Sequence, residues 1–349
     1  MVGTWYFIVS FLLIVYIALD GRNFGAGTLH YLVARTPDER QQVIAALGPL
    51  WSWHEVWLVA FGGTLLLAFP RLMASAFSGY YLALFLILWC FILRGISIEL
   101  RGHIVNRLWQ SFWDFVLVVS NVLLATLFGV AAGNLIRGVP LDDNGSFSLA
   151  FFTDFRVHGN VGLLDWYTVS IAAFTVVLLA AHGATYLVLK TEGAVHHRSA
   201  ALAKLLWAAV APLFLAVSIE TWLVRPELFA HPIHYFICWL GLLLFLASIV
   251  LLISGLTNKK EKRAFIASNL LLGSVIATGA ASMFPVMLHS TLQRENSLTA
   301  YSVAASRGTL LIASAWWPIG LALTLIYAAF ISRRYAGKVS AKGDIQGSH

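Results

Sequence analysis

Long apolar runs separated by short polar connections set the pattern of this chain. The runs lie at about 5–20, 54–70, 77–98, 111–136, 162–189, 202–224, 235–256, 264–287 and 309–332. About 20 consecutive apolar residues is the length that crosses hydrocarbon as a helix. Only helices and closed barrels satisfy their backbone there. A transmembrane barrel would alternate apolar and polar residues, and these runs do not. The pattern therefore predicts an all-α integral membrane protein of about nine transmembrane helices. The expected arrangement is two four-helix bundles plus one peripheral helix. Residues 1–336 form one polytopic domain, and 337–349 a polar, mobile cytoplasmic tail.

Composition agrees and removes other classes. Of the 349 residues, 59% are hydrophobic and 11% charged, where a soluble domain carries about 25% charged. The formal charge of +7 fits basic loops on one membrane face better than nucleic-acid binding. With the N-terminus outside, 17 of the 23 Lys and Arg fall in inside segments, Lys342 among them. That bias predicts an outside N-terminus and a cytoplasmic C-terminus. No Lys or Arg precedes the first run, so that run is expected to remain as a helix rather than a cleaved leader. Cys90 and Cys238 sit inside apolar runs and read as packing residues.

Polar residues inside spans are expensive, so they mark candidate chemistry. Asp20-Gly21-Arg22-Asn23-Phe24-Gly25-Ala26-Gly27 closes the first run. Asp20 is expected at a helix C-terminus, where the dipole disfavours an anion. Arg22 is its nearest partner. The second run opens on Trp51-Ser52-Trp53-His54-Glu55-Val56-Trp57. Ser52 and Glu55 share one helix face there. Glu55 either relays protons or snorkels to headgroups. His54 is either a ligand for metal or haem or a hydrogen-bonded structural residue. Arg94, within the third run, requires a carboxylate, a lipid phosphate or a cofactor propionate. Glu99 follows it. Asp114, beside Trp113, opens the fourth run near a helix N-terminus, which favours its anion. His182 lies inside the fifth run, next to Gly183, as a packing notch or a ligand. Pro285 is expected to kink or end the eighth helix. His196, His197, His231 and His234 are expected in exposed loops. No phosphate loop, nucleophile elbow, dinucleotide fingerprint or paired-Cys motif occurs.

These residues carry a resemblance to subunit II of the cytochrome bd-type quinol oxidases. Family members close their first helix with Asp-Gly-Phe-Asp-Leu-Gly-Val-Gly, which Asp20 to Gly27 resembles. They then carry Pro-x-Trp-Asp-Gly-Asn-(Glu/Gln)-Val-Trp-Leu, matched by Pro49 to Leu58, and then Gly62-Gly63 and Phe69-Pro70. The likeness runs on in order through Phe77–Tyr81, Arg94–Arg101, Trp113-Asp114, Gly133–Pro140, His182–Tyr186, Met283–Pro285 and Ser297–Thr299. It implies a subunit of a quinol:oxygen oxidoreductase in the bacterial cytoplasmic membrane. By that likeness this chain is not catalytic alone. Haems b and d and the quinol site are expected in a partner, subunit I, and the complex turns quinol and oxygen into quinone and water. A bound quinone or lipid in this chain, membrane lipids around it and a small accessory subunit are further expectations; nucleic acid is not.

The likeness also makes Asp20, Gly21, Gly25, Gly27, Trp51, Arg94, Trp113 and His182 structural motif residues. The family Asp associated with proton entry is Ser52 here, and the next two positions are Trp53 and His54. Glu55, Glu99, Ser52 and Asp114 are therefore the proton-path candidates, and Trp57 the oxygen-path candidate. Two rival readings remain: a solute or ion transporter using its buried acids, and a variant subunit that ligates its own haem through His54 or His182.

Overall fold

The computed structural model describes residues 1–157, 159–230 and 236–340, and the backbone of 345–346. His231, His234 and Lys342 lie outside the described residues. Nine helices in the described residues are long and apolar enough to cross a membrane. They are α1 (Val2–Thr28), α2 (Trp51–Ala68), α3 (Tyr81–Leu100), α4 (Arg107–Arg137), α5 (Trp166–Lys190), α6 (Gly193–Val224), α7 (Phe236–Thr257), α8 (Glu261–Met283) and α9 (Arg307–Arg334). Each overlaps one of the nine apolar runs.

The helices sort into two groups. Helix α1 packs on α2 and α4, and α3 on α4; α5 packs on α6 and α8, and α7 on α8. The groups join where α1 meets α5 and α8, and where α4 meets α5. Helix α9 stands at the edge against α2. Trp317 Nε1 donates to Thr64 Oγ1 at 3.1 Å there, and Trp317 meets the Trp5 ring edge-on at 5.9 Å. Apolar side chains on the outer faces of α3, α7 and α9 are widely exposed, as lipid-facing or partner-facing surfaces should be.

The first helix departs from the expected stop at Asp20. It continues through all three glycines to Thr28, so Asp20 sits mid-helix and buried. The glycines serve close approach instead of a turn. A Cβ on Gly25 would collide with the Leu179 carbonyl of α5, and one on Gly183 would collide with the Gly25–Ala26 backbone. These two bare positions let α1 and α5 touch backbone to backbone, the usual membrane solution when packing replaces hydrophobic drive.

The long connection after α1 is itself ordered. Thr36 and Glu39 form a capping box that starts a helix at Pro37–Leu47. A tight turn at 48–50 then delivers the chain into α2. Helix α2 spans only 18 residues, and the chain restarts at once as Pro70–Gly79. At the far end, Arg137 of α4 pairs with Asp165, which also caps α5 through the Thr168 amide. Helix α8 ends at Met283, before Pro285. His196 and His197 fall in the first turns of α6 rather than in a loop. The early part of the C-terminal tail is strapped down: Val339 is buried, and its carbonyl accepts from Gln42 Nε2 at 2.7 Å.

Candidate functional site

The sequence offered Arg22 as the partner of Asp20, and the structure gives Arg94 instead. Asp20 points from α1 into the first helix group and is fully buried. Arg94 Nη1 donates to Asp20 Oδ1 at 2.9 Å, and its Nη2 donates to Glu55 Oε1 at 2.6 Å. One guanidinium thus bridges carboxylates from two helices. Its planar fork is suited to this, and a lysine would serve only one. The faces of Phe24 and Phe91 cover the cation at 4.9 and 5.2 Å from their ring centres. Tyr16 and Asn23, at i−4 and i+3 from Asp20 on α1, complete its bonds: Tyr16 Oη donates to Oδ2, and Asn23 Nδ2 approaches Oδ1, both at 3.1 Å. A buried ion pair holds only with such extra bonds.

Arg22 turns the other way. Its Nη2 lies 2.8 Å from His54 Nε2, and its guanidinium sits 4.8 Å from the Tyr186 ring centre. His54 Nδ1 lies 2.7 Å from Asn23 Nδ2. His182, fully buried, sets Nδ1 at 2.9 Å from Ser268 Oγ and Nε2 at 3.1 Å from the Ala18 carbonyl. Both nitrogens of both rings are therefore engaged by protein atoms, and neither histidine presents a free one to an iron. No group of three His, Cys, Asp or Glu placed to hold a metal occurs among the described residues. As placed, neither His54 nor His182 is a ligand for a haem iron. The two cysteines are free and buried.

Glu55 is the link between this buried cluster and the surface. Its side chain is 28% exposed and lines a groove of about 500 Å³ between α2 and α3. Trp51, Phe91, Gly95 and Glu99 line the same groove. Glu99 is exposed and accepts from Trp51 Nε1 at 3.2 Å. Gly95 permits this: a Cβ there would press on the Trp51 ring at 2.8 Å. Two carboxylates thus face one mostly apolar trough, one of them tied through Arg94 to Asp20. Ser52 is exposed on α2 and belongs to neither cluster.

Asp114 lies apart from this trough. It is 1% exposed and takes Arg101 Nε at 2.6 Å, His30 Nε2 at 2.9 Å and Arg40 Nη1 at 3.4 Å. Arg101 also donates to Gln41 Oε1 at 2.6 Å. Burial pushes the His30 imidazole below its ordinary range, against the opposing pull of the Asp114 hydrogen bond. Arg94 and Arg101 are seven apart, two turns along α3, so one face of this helix holds both buried acids. Trp113 stacks edge-on with Trp109 and Phe112. Trp57 is 1% exposed and meets Trp53 edge-on at 6.1 Å.

Sequence reasoning missed Tyr16 and His30, and read Asn23 only as the residue in place of the family's second Asp, not as a partner of Asp20. The spacing of Tyr16 and Asn23 from Asp20 was a readable signal. His30 had none, because its partner lies 84 positions away.

A family model described as cytochrome bd terminal oxidase subunit II matches residues 1–334. Cytochrome bd-I ubiquinol oxidase subunit 2 of Escherichia coli strain K12 is 28% identical, over 98% of this chain and 96% of that protein. Cytochrome bd ubiquinol oxidase subunit 2 of Bacillus subtilis is 29% identical over 61% of this chain and 60% of its own. A solved structure of bd oxidase from Geobacillus thermodenitrificans superimposes with a TM-score of 0.70 at 17% identity, covering 95% of this chain and 98% of that one. That last likeness carries the fold alone.

Proposed function

From the premise that this chain belongs to the cytochrome bd terminal oxidase subunit II family, and is thus part of a quinol oxidase complex of the bacterial inner membrane, we propose that it feeds protons to a haem-bearing partner through Glu55 and Glu99. The observation that carries this is Glu55: it opens on a groove shared with Glu99 and, through Arg94, touches the buried Asp20. An intramembrane carboxylate so placed is a proton carrier by chemistry. Ser52, at the family's proton-entry position, carries no carboxylate and is exposed.

The haems, b and d, and the quinol site belong in the partner, subunit I. The expected orientation is N-terminus outside and C-terminus cytoplasmic. Glu99, Arg101 and Asp114 then lie at the cytoplasmic rim, where protons enter. Asp114 is tied down by two arginines and a histidine and serves to hold that rim together. The apolar wall of the groove is a seat for a lipid or quinone tail. Trp57 stands for the oxygen route, since oxygen needs only an apolar gap.

Replacing Glu55 and Glu99 singly by Gln in the assembled complex tests the reading. Quinol-driven oxygen uptake and membrane potential should both fall, more for Glu55. Normal values in Glu55→Gln would end it.

A further inference from the structure

Arg22 is a cation that this chain leaves without an anion. A guanidinium stays charged, and a charge within a membrane span needs a counter-ion. Asp20 does not serve, because it leaves α1 on the opposite face and is spent on Arg94. His54 Nε2, at 2.8 Å from Arg22 Nη2, offers a lone pair and no charge. The Tyr186 and Phe265 rings, 4.8 and 5.7 Å from the guanidinium carbon, cover it without neutralising it. The buried Nε has no acceptor. Among the described residues no carboxylate forms an ion pair with Arg22. Lys190, one turn beyond Tyr186 on α5, adds a second cation, and its Nζ meets only the carbonyls of Tyr335 and Gly337. The corner where α1, α2, α5 and α8 meet is therefore positive and uncompensated.

The surface that leads away from this charge is apolar and open. Phe11, Val15, Ala18 and Arg22 follow one another at spacings of four, three and four, so they share one face of α1. Phe11 is 43% exposed, and the other three are half-buried. Leu12, Tyr16 and Asp20, on the opposite face, are buried in the protein. Helix α8 flanks the stripe: Phe265 lies beside the guanidinium, and a Cβ on Gly273, two turns on, would stand 3.3 Å from Ile14. Arg22 lies about 9 Å short of the end of α1 at Thr28, from the rise of about 1.5 Å per residue. In the expected orientation that is just inside the cytoplasmic headgroups, where a long basic side chain reaches outward to them.

We propose that Arg22 holds the phosphate of an anionic phospholipid from the cytoplasmic leaflet, with an acyl chain lying along Ala18, Val15 and Phe11. The phosphate supplies the charge that the corner lacks, and a guanidinium is suited to it. A basic pocket between helices on the cytoplasmic side is a known setting for such headgroups. Bound there, the lipid joins the two helix groups at the inner end of α1. The site is separate from the groove between α2 and α3, since none of its residues lines that groove. Arg22 stands where the family motif carries Phe, so the site belongs to this chain and not to the motif.

Native mass spectrometry of the detergent-washed two-subunit complex tests the proposal, with wild type set against Arg22→Phe, which restores the family's residue. The wild type should keep a single anionic phospholipid that Arg22→Phe loses. Equal lipid counts overturn the proposal, as they would if a carboxylate of the partner chain met Arg22. It is also overturned if the molecule lost from the variant carries no phosphate, as a quinone or fatty acid would not, or is free inorganic phosphate. Should Arg22→Phe fail to assemble, the delipidated wild type decides. Short-chain phosphatidylglycerol should raise its melting temperature, while diacylglycerol of the same chains and inorganic phosphate should not; an equal rise with either overturns the proposal. Neither measurement depends on Glu55, so normal turnover in Glu55→Gln would end the proton-feeding reading and leave this site standing.

Discussion

Replacing Arg94 by Gln removes the one cation shared by two acids. Arg94 is 1% exposed and donates to Asp20 at 2.9 Å and to Glu55 at 2.6 Å. Glu55 can turn toward the groove and find water. Asp20 is fully buried and cannot. Removing one partner of a buried pair costs about 3–5 kcal/mol, because the other charge is left without compensation. At 1.4 kcal/mol per factor of ten, that is roughly two to three and a half powers of ten in the folded-to-unfolded ratio. The double variant Asp20→Asn with Arg94→Gln removes the stranded charge. It should therefore be more stable than Arg94→Gln alone, with a coupling of about 2 kcal/mol or more between the sites. The assay is denaturant or thermal unfolding of the purified complex for the four members of the cycle. Additive losses would refute the reasoning, since they would mean that Asp20 and Arg94 do not depend on each other.

Three further outcomes follow from the packing and the charges. Gly25→Ala should prevent α1 from seating on α5 and cost about 3 kcal/mol or more, as a Cβ would meet the Leu179 carbonyl; a well-assembled Gly25→Ala complex of unchanged thermal stability would count against the helix contact. His30 is held neutral by burial, with Asp114, Arg101, Arg40 and Tyr31 around it. Its folded value lies below the unfolded one, so its stability contribution is full above about pH 6.5 and is lost as pH falls from there toward the folded value. Unfolding measured across that window should show a slope that His30→Gln flattens; an unchanged slope would remove His30 as its source. Ending the chain at Arg334 deletes the strap in which Lys190 Nζ meets the Gly337 carbonyl at 3.0 Å and Lys338 pairs with Glu261 at 2.9 Å. Proteolysis should then reach the Pro37–Leu47 helix sooner, and equal protection would show the strap to be idle.

The nine helices were legible because hydrocarbon imposes one demand, length without charge, and the chain meets it nine times. The polar contacts were legible only where they are local. Tyr16, Asp20 and Asn23 share a helix face at spacings that can be read directly. The Asp20–Arg94 pair joins residues 74 apart, and no spacing reports it. The expected Asp20–Arg22 pair failed for a physical reason. Helix α1 runs on past Asp20, so the two side chains, two residues apart, leave the helix on different faces. The glycines that suggested a stop instead mark where another backbone passes.

The central claim is that protons reach the partner through Glu55. Single-turnover proton uptake, followed with a pH-sensitive dye on the reduced complex after oxygen is admitted, addresses it most directly. The account predicts uptake slowed at least about tenfold in Glu55→Gln, with the electron-transfer steps that precede it unchanged. Uptake at the wild-type rate in an assembled Glu55→Gln complex would contradict it.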